Sequence, residues 1–297
     1  MTQAFVRRLG LAAACLTLAA CASGAGPTAT PAPAPKPGEP APPAPTGGRG
    51  PAVTFRPVQG APYRVERHDS LTLQYEGGAS QEQVRDRTAF VRLTLAEAPG
   101  GSYRATIVLD SMLAWENGVP VPFDSLGPLR GTQWTATLTT AGALEGLKAN
   151  RSSILGDELA STLRLLLPRL PQGGVREGMA WSDTTRYELV ADAFPGTETT
   201  AMTYRATEAE GSRNAIALES EGTYTRSGTR LQGEQELEMT ASGKRQGVHR
   251  LAAEGNLVSA EGSEAGDMTI SVPAVGQTVP VKQSSSYSIT SAAAGSR

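Results

Sequence analysis

From Tyr63 onward, apolar side chains fall on alternate positions. Tyr63, Val65, Leu71, Leu73 and Tyr75 share the odd parity with Arg67, and Arg64, Glu66, His68 and Gln74 lie between them. Ala89, Val91, Leu93 and Leu95 repeat the pattern, as do Tyr103, Ala105, Ile107 and Leu109. A period of two over this many residues predicts half-buried antiparallel strands. Gly77-Gly78 and Pro99 to Gly101 supply turns between them. Val119 to Leu129 is broken by Pro120, Pro122 and Pro128, which fits an edge or a loop. Trp134, Ala136 and Leu138 resume the alternation, and Ala141-Gly142 turns the chain.

One segment has a different rhythm. Leu155, Leu159, Leu163, Leu166 and Leu170 recur at three- and four-residue steps, the helical period. Ser152-Ser153 can cap this helix, Asp157 and Glu158 suit its first turns, and Pro168 and Pro171 stop it. The spacing predicts one amphipathic helix over about 153–167. After Pro171, strands are expected at Thr184–Ala191, Ala201–Ala209, Asn214–Thr225, Arg230–Ser242, Gly247–Ser259, Met268–Val272 and Val281–Thr290. Turns are expected at Pro195-Gly196, Glu210-Gly211, Ser227-Gly228, Ser242-Gly243 and Gly262. The fold class is mainly β: an antiparallel curved sheet or half-barrel with one amphipathic helix.

The first sixty residues do not share this texture. Arg7 and Arg8 precede a short apolar stretch, Leu9 to Ala20, too short to span a bilayer. The stretch ends in Leu18-Ala19-Ala20-Cys21, and Ala22 follows the cysteine. Residues 1–20 are therefore expected to be a signal peptide. Residues 21–60 are expected to form a disordered linker, because ten of the 21 prolines lie between Pro27 and Pro51 with almost no large apolar side chain among them. The β-rich domain is expected over 61–290, with a disordered tail at 291–297.

Composition narrows the chemistry. Residues 1–20 carry two arginines and no acid, so without them the formal charge moves from −2 to −4, and no nucleic-acid surface is expected. The only cysteines are Cys15, within the signal, and Cys21, so the domain offers no disulfide and no thiolate metal site. His68 and His249 have no metal-ligand spacing, and both are expected to face solvent. Gly262 to Gly266 has the spacing G-S-x-x-G rather than that of a nucleophile elbow, and no phosphate-binding loop is present. Glu234, Glu236 and Glu238 share one strand face, which is the pattern of a solvated face. No enzyme activity, metal or cofactor is expected. The candidate apolar-ligand contacts are Trp134, Leu155, Leu159, Leu163, Leu166 and Trp181. Two tryptophans opening strands, together with a leucine-faced helix, could line an apolar cavity; the same residues are first of all what fills a core. Gly131 to Thr137 and Gly178 to Thr184 share the pattern G-x-x-W-[ST]-x-T, too short an echo to establish a duplication.

The N-terminal pattern resembles the lipobox of bacterial lipoproteins, which implies lipidation of Cys21 and anchoring in the cell envelope. Ala22, where inner-membrane lipoproteins of enteric type often have Asp, implies the outer membrane, facing the periplasm. Leu170 to Trp181, with the Thr139 to Gly142 segment before it, resembles an uncharacterised family of bacterial β-rich lipoproteins in which no catalytic residues are assigned. The architecture is also similar, without a shared motif, to half-barrel carriers of LolA/LppX type, which hold acyl chains between a curved sheet and helices. Two functions are therefore expected as alternatives. One is an envelope lipoprotein that binds or carries an apolar ligand such as a lipid. The other is a structural or protein-interaction lipoprotein without a small ligand.

Overall fold

The computed structural model describes residues 45–291, apart from 57, 76–77, 140, 152, 172, 190–193, 210–214 and 234. The expected signal peptide, Cys21, most of the linker and the tail beyond Ser291 lie outside the described residues. The elements are β1 (Arg49–Val53), β2 (Ala61–Gln74), β3 (Ser80–Glu97), β4 (Tyr103–Glu116), β5 (Val119–Pro120), α1 (Phe123–Leu126), β6 (Gln133–Leu138), β7 (Leu144–Ala149), α2 (Ile154–Leu163), β8 (Val175–Glu177), β9 (Ala180–Leu189), β10 (Gly196–Glu208), β11 (Ile216–Gln232), β12 (Gln235–Leu251), β13 (Leu257–Val272) and β14 (Gln277–Ser291).

Twelve strands form one antiparallel sheet in the order β7-β6-β4-β3-β2-β14-β13-β12-β11-β10-β9, with β5 added to β4. Two meanders are thus stitched together by the pairing of β2 with β14, in a register that sets Val65 against Ile289 and Asp69 against Ser285. The two outermost strands, β7 and β9, approach each other, so the curved sheet is a nearly closed half-barrel. The mainly β expectation stands. Among the described residues two short helices are present rather than one, because the proline-broken segment winds a single turn at α1.

The C-terminal strands are longer than their sequence suggests. Ser227-Gly228, Ser242-Gly243 and Gly262 were expected to turn the chain; instead all three lie inside strands of 16 or 17 residues. Two of these glycines serve a close approach. A side chain at Gly262 would begin 2.6 Å from the Tyr287 hydroxyl, and one at Gly243 would begin 2.9 Å from the Tyr224 ring. The missing side chains let the two tyrosines lie flat across neighbouring strands inside the sheet.

The linker also ends earlier than expected. Residues 45–56 are built into the domain. Thr46 exchanges backbone hydrogen bonds with Ala180, β1 pairs with β8, Val53 is buried and Phe55 packs on the core. Gly174 and Gly255 permit this docking, since a Cβ on either would collide with the Val53 or Thr54 carbonyl.

The helix differs from expectation in length. Ser153 caps α2 by accepting from the Gly156 N–H at 3.1 Å. The helix stops at Leu163 rather than near 167, where tighter bonds from Leu165 N–H to Thr162 and from Leu166 N–H to Leu163 take over ahead of Pro168. That tightening turns Leu166 and Leu167 inward. None of the described side chains from 153 to 171 is exposed. Arg67 and Arg87, which pair with α2, and His249, which bonds the chain just after it, all stand on the inward-facing side of the sheet, so α2 is a plug inside the half-barrel and not a cover on its rim.

Candidate functional site

The six candidate apolar contacts are in the structure as follows. Trp134 in β6, together with Leu163 and Leu166, has 0 % of its surface accessible, and Leu159 is buried nearly as fully. A side chain with no accessible surface borders no water-sized space, so Trp134, Leu163 and Leu166 fill volume rather than line a cavity. A side chain at Gly156 would begin 2.6 Å from the Ser153 cap hydroxyl and 3.8 Å from the Trp134 ring, so the first turn of α2 lies beside that ring. Leu155 is half-buried and packs at the edge of the same cluster. Trp181 in β9 stacks on its cross-strand neighbour Tyr204, with ring centroids 5.1 Å apart and planes 9° from parallel. Trp134, Leu159, Leu163, Leu166 and Trp181 thus belong to one continuous core with Val65, Val91, Ile107 and Ile289.

Beyond this core, along the same inner face, the chemistry reverses. Cross-strand pairing runs Arg245 in β12, Glu264 in β13, Ser285 in β14, Asp69 in β2 and Arg85 in β3, so that one register row carries a belt of charge. Arg245 binds Glu264 at 2.9 Å and Glu198 at 3.1 Å. Arg67 binds Asp69 at 2.7 Å and Glu264 at 3.3 Å, and donates to Ser285. Arg87 binds Asp69 at 2.8 Å and also reaches Glu158 of α2. Arg85 holds the other Glu158 oxygen at 2.7 Å. The helix is therefore clamped from two sides: leucines seal one flank, while Glu158, Ser161 and Thr162 meet arginines on the other. The Arg245 guanidinium also lies 5.2 Å from the Tyr224 ring centre. Past the belt, Tyr224, Met239 and Ala241 form a second small apolar cluster.

The carboxylates of the belt do not titrate alike. Burial opposes the charge of Glu264, but Arg245 and Arg67 outweigh it and hold the group below the usual carboxylate range. At Glu158 burial wins over Arg87 and Arg85, and its pKa is raised. Burial likewise works against the Arg67 and Arg245 charges, yet the carboxylates around each raise both above the ordinary guanidinium value. These groups pair with one another across the inner face.

His249 corrects an expectation. It is 7 % exposed rather than solvated, and its Nε2–H donates to the Leu165 carbonyl at 2.9 Å. Burial lowers its pKa, so the neutral ring is the form that fits. His68 is on the outside as expected, with Nδ1 2.6 Å from Asp86, its cross-strand neighbour. Glu236 and Glu238 are exposed and form part of the solvated face expected there; Glu234 lies outside the described residues.

A cleft lies on the outer face, away from every candidate contact except the backbone next to Trp181. It is open, has a volume of about 770 Å³ and crosses β10 to β14. Register explains its shape. Ser220, Gly247 and Gly262 form one row across the sheet and make the floor, while the rows on either side turn their side chains outward as walls. No protein-family model matches this chain, and no curated protein sequence matches it. Sequence reasoning missed both the belt and the cleft. The signal for the belt was present as charge on the apolar parity: Arg67, Asp69, Arg87, Arg245 and Glu264.

Proposed function

We propose that this chain is a lipid-anchored envelope lipoprotein whose half-barrel serves recognition by its outer surface, the structural and interaction alternative of the two readings. The observation that carries this choice is the position of α2. In a half-barrel carrier the interior holds the ligand; here the interior holds the chain's own helix, sealed by Leu159, Leu163 and Leu166 and clamped by Arg67, Arg85 and Arg87. The anchor rests on Arg7-Arg8, the apolar run and Leu18 to Cys21, and outer-membrane residence rests on Ala22. Two acyl chains on Cys21 would hold the protein stably where one would not. The Cys21→Ser variant should leave the membrane fraction, and palmitate labelling should mark the wild type alone; an unlabelled wild type would remove the anchor.

The carrier reading has one observation on its side, the curvature of the sheet almost to closure around a leucine-bearing helix. It requires α2 to leave the interior. A fluorescent fatty acid added to the purified protein decides between the two. Recognition by the outer surface expects no uptake, and organic extraction of the protein should release no lipid beyond the anchor. Saturable uptake, increased by Leu163→Ala, would reinstate the carrier.

A further inference from the structure

We infer that the outer cleft binds a linear glycan that is neutral or bears amino groups. The inference rests on the recognition reading above and names the chemistry of the partner.

The floor is the backbone of the β10 to β14 ladder, whose N–H and C=O groups are already paired between strands. A ligand in the cleft therefore gains hydrogen bonds only from the wall side chains. One wall carries Thr203, Glu221, Gln246, Ser263 and Ser286; the other carries Arg205, Glu219, Val248, Glu261 and Ser288. These are hydroxyls, an amide, three carboxylates and the Arg205 guanidinium, with a single aliphatic side chain. Such a lining suits a polyol and offers nothing to an acyl chain. Along the cleft the walls repeat once per strand, about 4.8 Å apart. That is of the order of one pyranose ring in an extended glycan, so successive rings meet equivalent polar groups strand after strand.

Charge selects within that class. Glu261 is held by Arg250 at 2.9 Å, and Gln246 donates to Ser263 at 3.2 Å. Glu219 and Glu221 are exposed, face opposite walls from one strand, and form no ion pair among the described residues. Arg205 is the cross-strand neighbour of Glu219 on the same wall, whereas the wall of Glu221 holds no cation, so Glu221 favours ammonium and hydroxyl donors and disfavours uronates, sulfates and phosphates there. The two glycines deepen the effect. Gly247 and Gly262 leave no side chain on the inner side, and Tyr287 crosses there, which keeps the floor thin and flat.

The test uses the full chain in titrations with chitosan hexasaccharide, cellohexaose and oligogalacturonate, with a lysine–serine peptide as a competing cation. Saturable binding of chitosan, weaker binding of cellohexaose and none of oligogalacturonate are expected. Ser286→Trp and Ser263→Trp place a bulky ring on an exposed wall without touching the inner face, and each should weaken binding at least about tenfold. Glu221→Gln should weaken chitosan while leaving cellohexaose unchanged. No binding of either glycan, equal binding of oligogalacturonate, or preference for the peptide would overturn the inference. So would glycan binding indifferent to both tryptophan variants. A cleft that binds no glycan, in a protein that still takes up no fatty acid, would sink this inference and leave the recognition reading intact.

Discussion

Around Trp134 and Leu163 the inside of the half-barrel is closed by hydrocarbon, and a few residues further along the same strands it is closed by Arg67, Arg245 and Glu264. Both layers close the interior, but they set different conditions on the chain. A leucine accepts many neighbours of similar size, so the apolar layer rewards burial and is tolerant of small slips. A guanidinium between two carboxylates accepts few arrangements. A slip of β12 against β13 by one residue would send Arg245 to the outer face and leave Glu264 and Glu198 without it. The comparison teaches a division of labour in which the leucines supply stability and the belt fixes register across strands whose outward faces are uniformly polar. In those strands, rich in Ser, Thr and Gly, alternation of apolar residues alone specifies register weakly.

The largest effect that tests this comparison is at Arg245. Arg245→Ala removes a guanidinium shared by two buried carboxylates, leaving Glu264 with Arg67, and should cost about 3–5 kcal/mol in urea unfolding. Replacing Arg67, Glu198, Arg245 and Glu264 together by Met and Leu should cost far less, or stabilise by about 1–4 kcal/mol. If the belt fixes register, that apolar variant should nevertheless lose dispersion in its amide spectrum. A sharp spectrum would show that the leucine layer sets register alone.

Leu163→Ala comes next, at about 2–5 kcal/mol, because a fully enclosed side chain leaves a cavity. A loss well under 1 kcal/mol would mean that α2 is looser than its packing implies, and would sharpen interest in the interior.

The response to pH separates the two layers a third way. His249 in the apolar layer has a lowered pKa, so its contribution is complete above its ordinary value of 6.5 and is lost as pH falls below it. Glu264 in the belt is also lowered, so its contribution is complete above the ordinary 4.5 and is lost as pH falls through its folded value. Glu158 is raised and works in the opposite direction, favouring the fold as pH falls and the group takes up a proton. Melting temperature should therefore decline on acidification in two stages. His249→Phe should flatten the first and Glu264→Gln the second. Glu158→Gln should change stability by no more than about 1 kcal/mol and leave both stages in place.

The smallest effect concerns the N-terminal segment. Deleting 22–44 should leave the melting temperature unchanged, whereas extending the deletion to 60 removes β1, Val53 and Phe55 and should lower it.

The legible part of the fold was the part written in hydrophobic contrast. The strands carrying Val65, Val91, Ile107 and Trp134 could be read from their alternation, and the leucine period located α2. The C-terminal strands were cut short because glycine was taken as a turn residue at 228, 243 and 262. Glycine inside a strand also marks the approach of a large side chain, and Tyr224 and Tyr287 come from strands too distant in sequence to be seen as partners. The same non-locality hid the belt. Arg67 is nearly two hundred residues from Glu264 and was legible only as a charge on the wrong parity. His249 was misjudged because its acceptor, Leu165, lies in the turn after the helix. The cleft left no local signature, since its walls are five short polar stretches aligned by register.

The pairing of β2 with β14 has a consequence in time. The seam at the middle of the sheet joins residues 63–73 to residues 281–291. Each meander can form hairpin by hairpin as the chain becomes available, but the two cannot be united until the last strand arrives, and closing so long a loop is slow. Until then β2 and β13 present raw edges where the finished molecule has its centre. The last strand acts as a keystone, and a chain that ended before Gln277 would be two unfinished sheets with the means to pair with one another's copies.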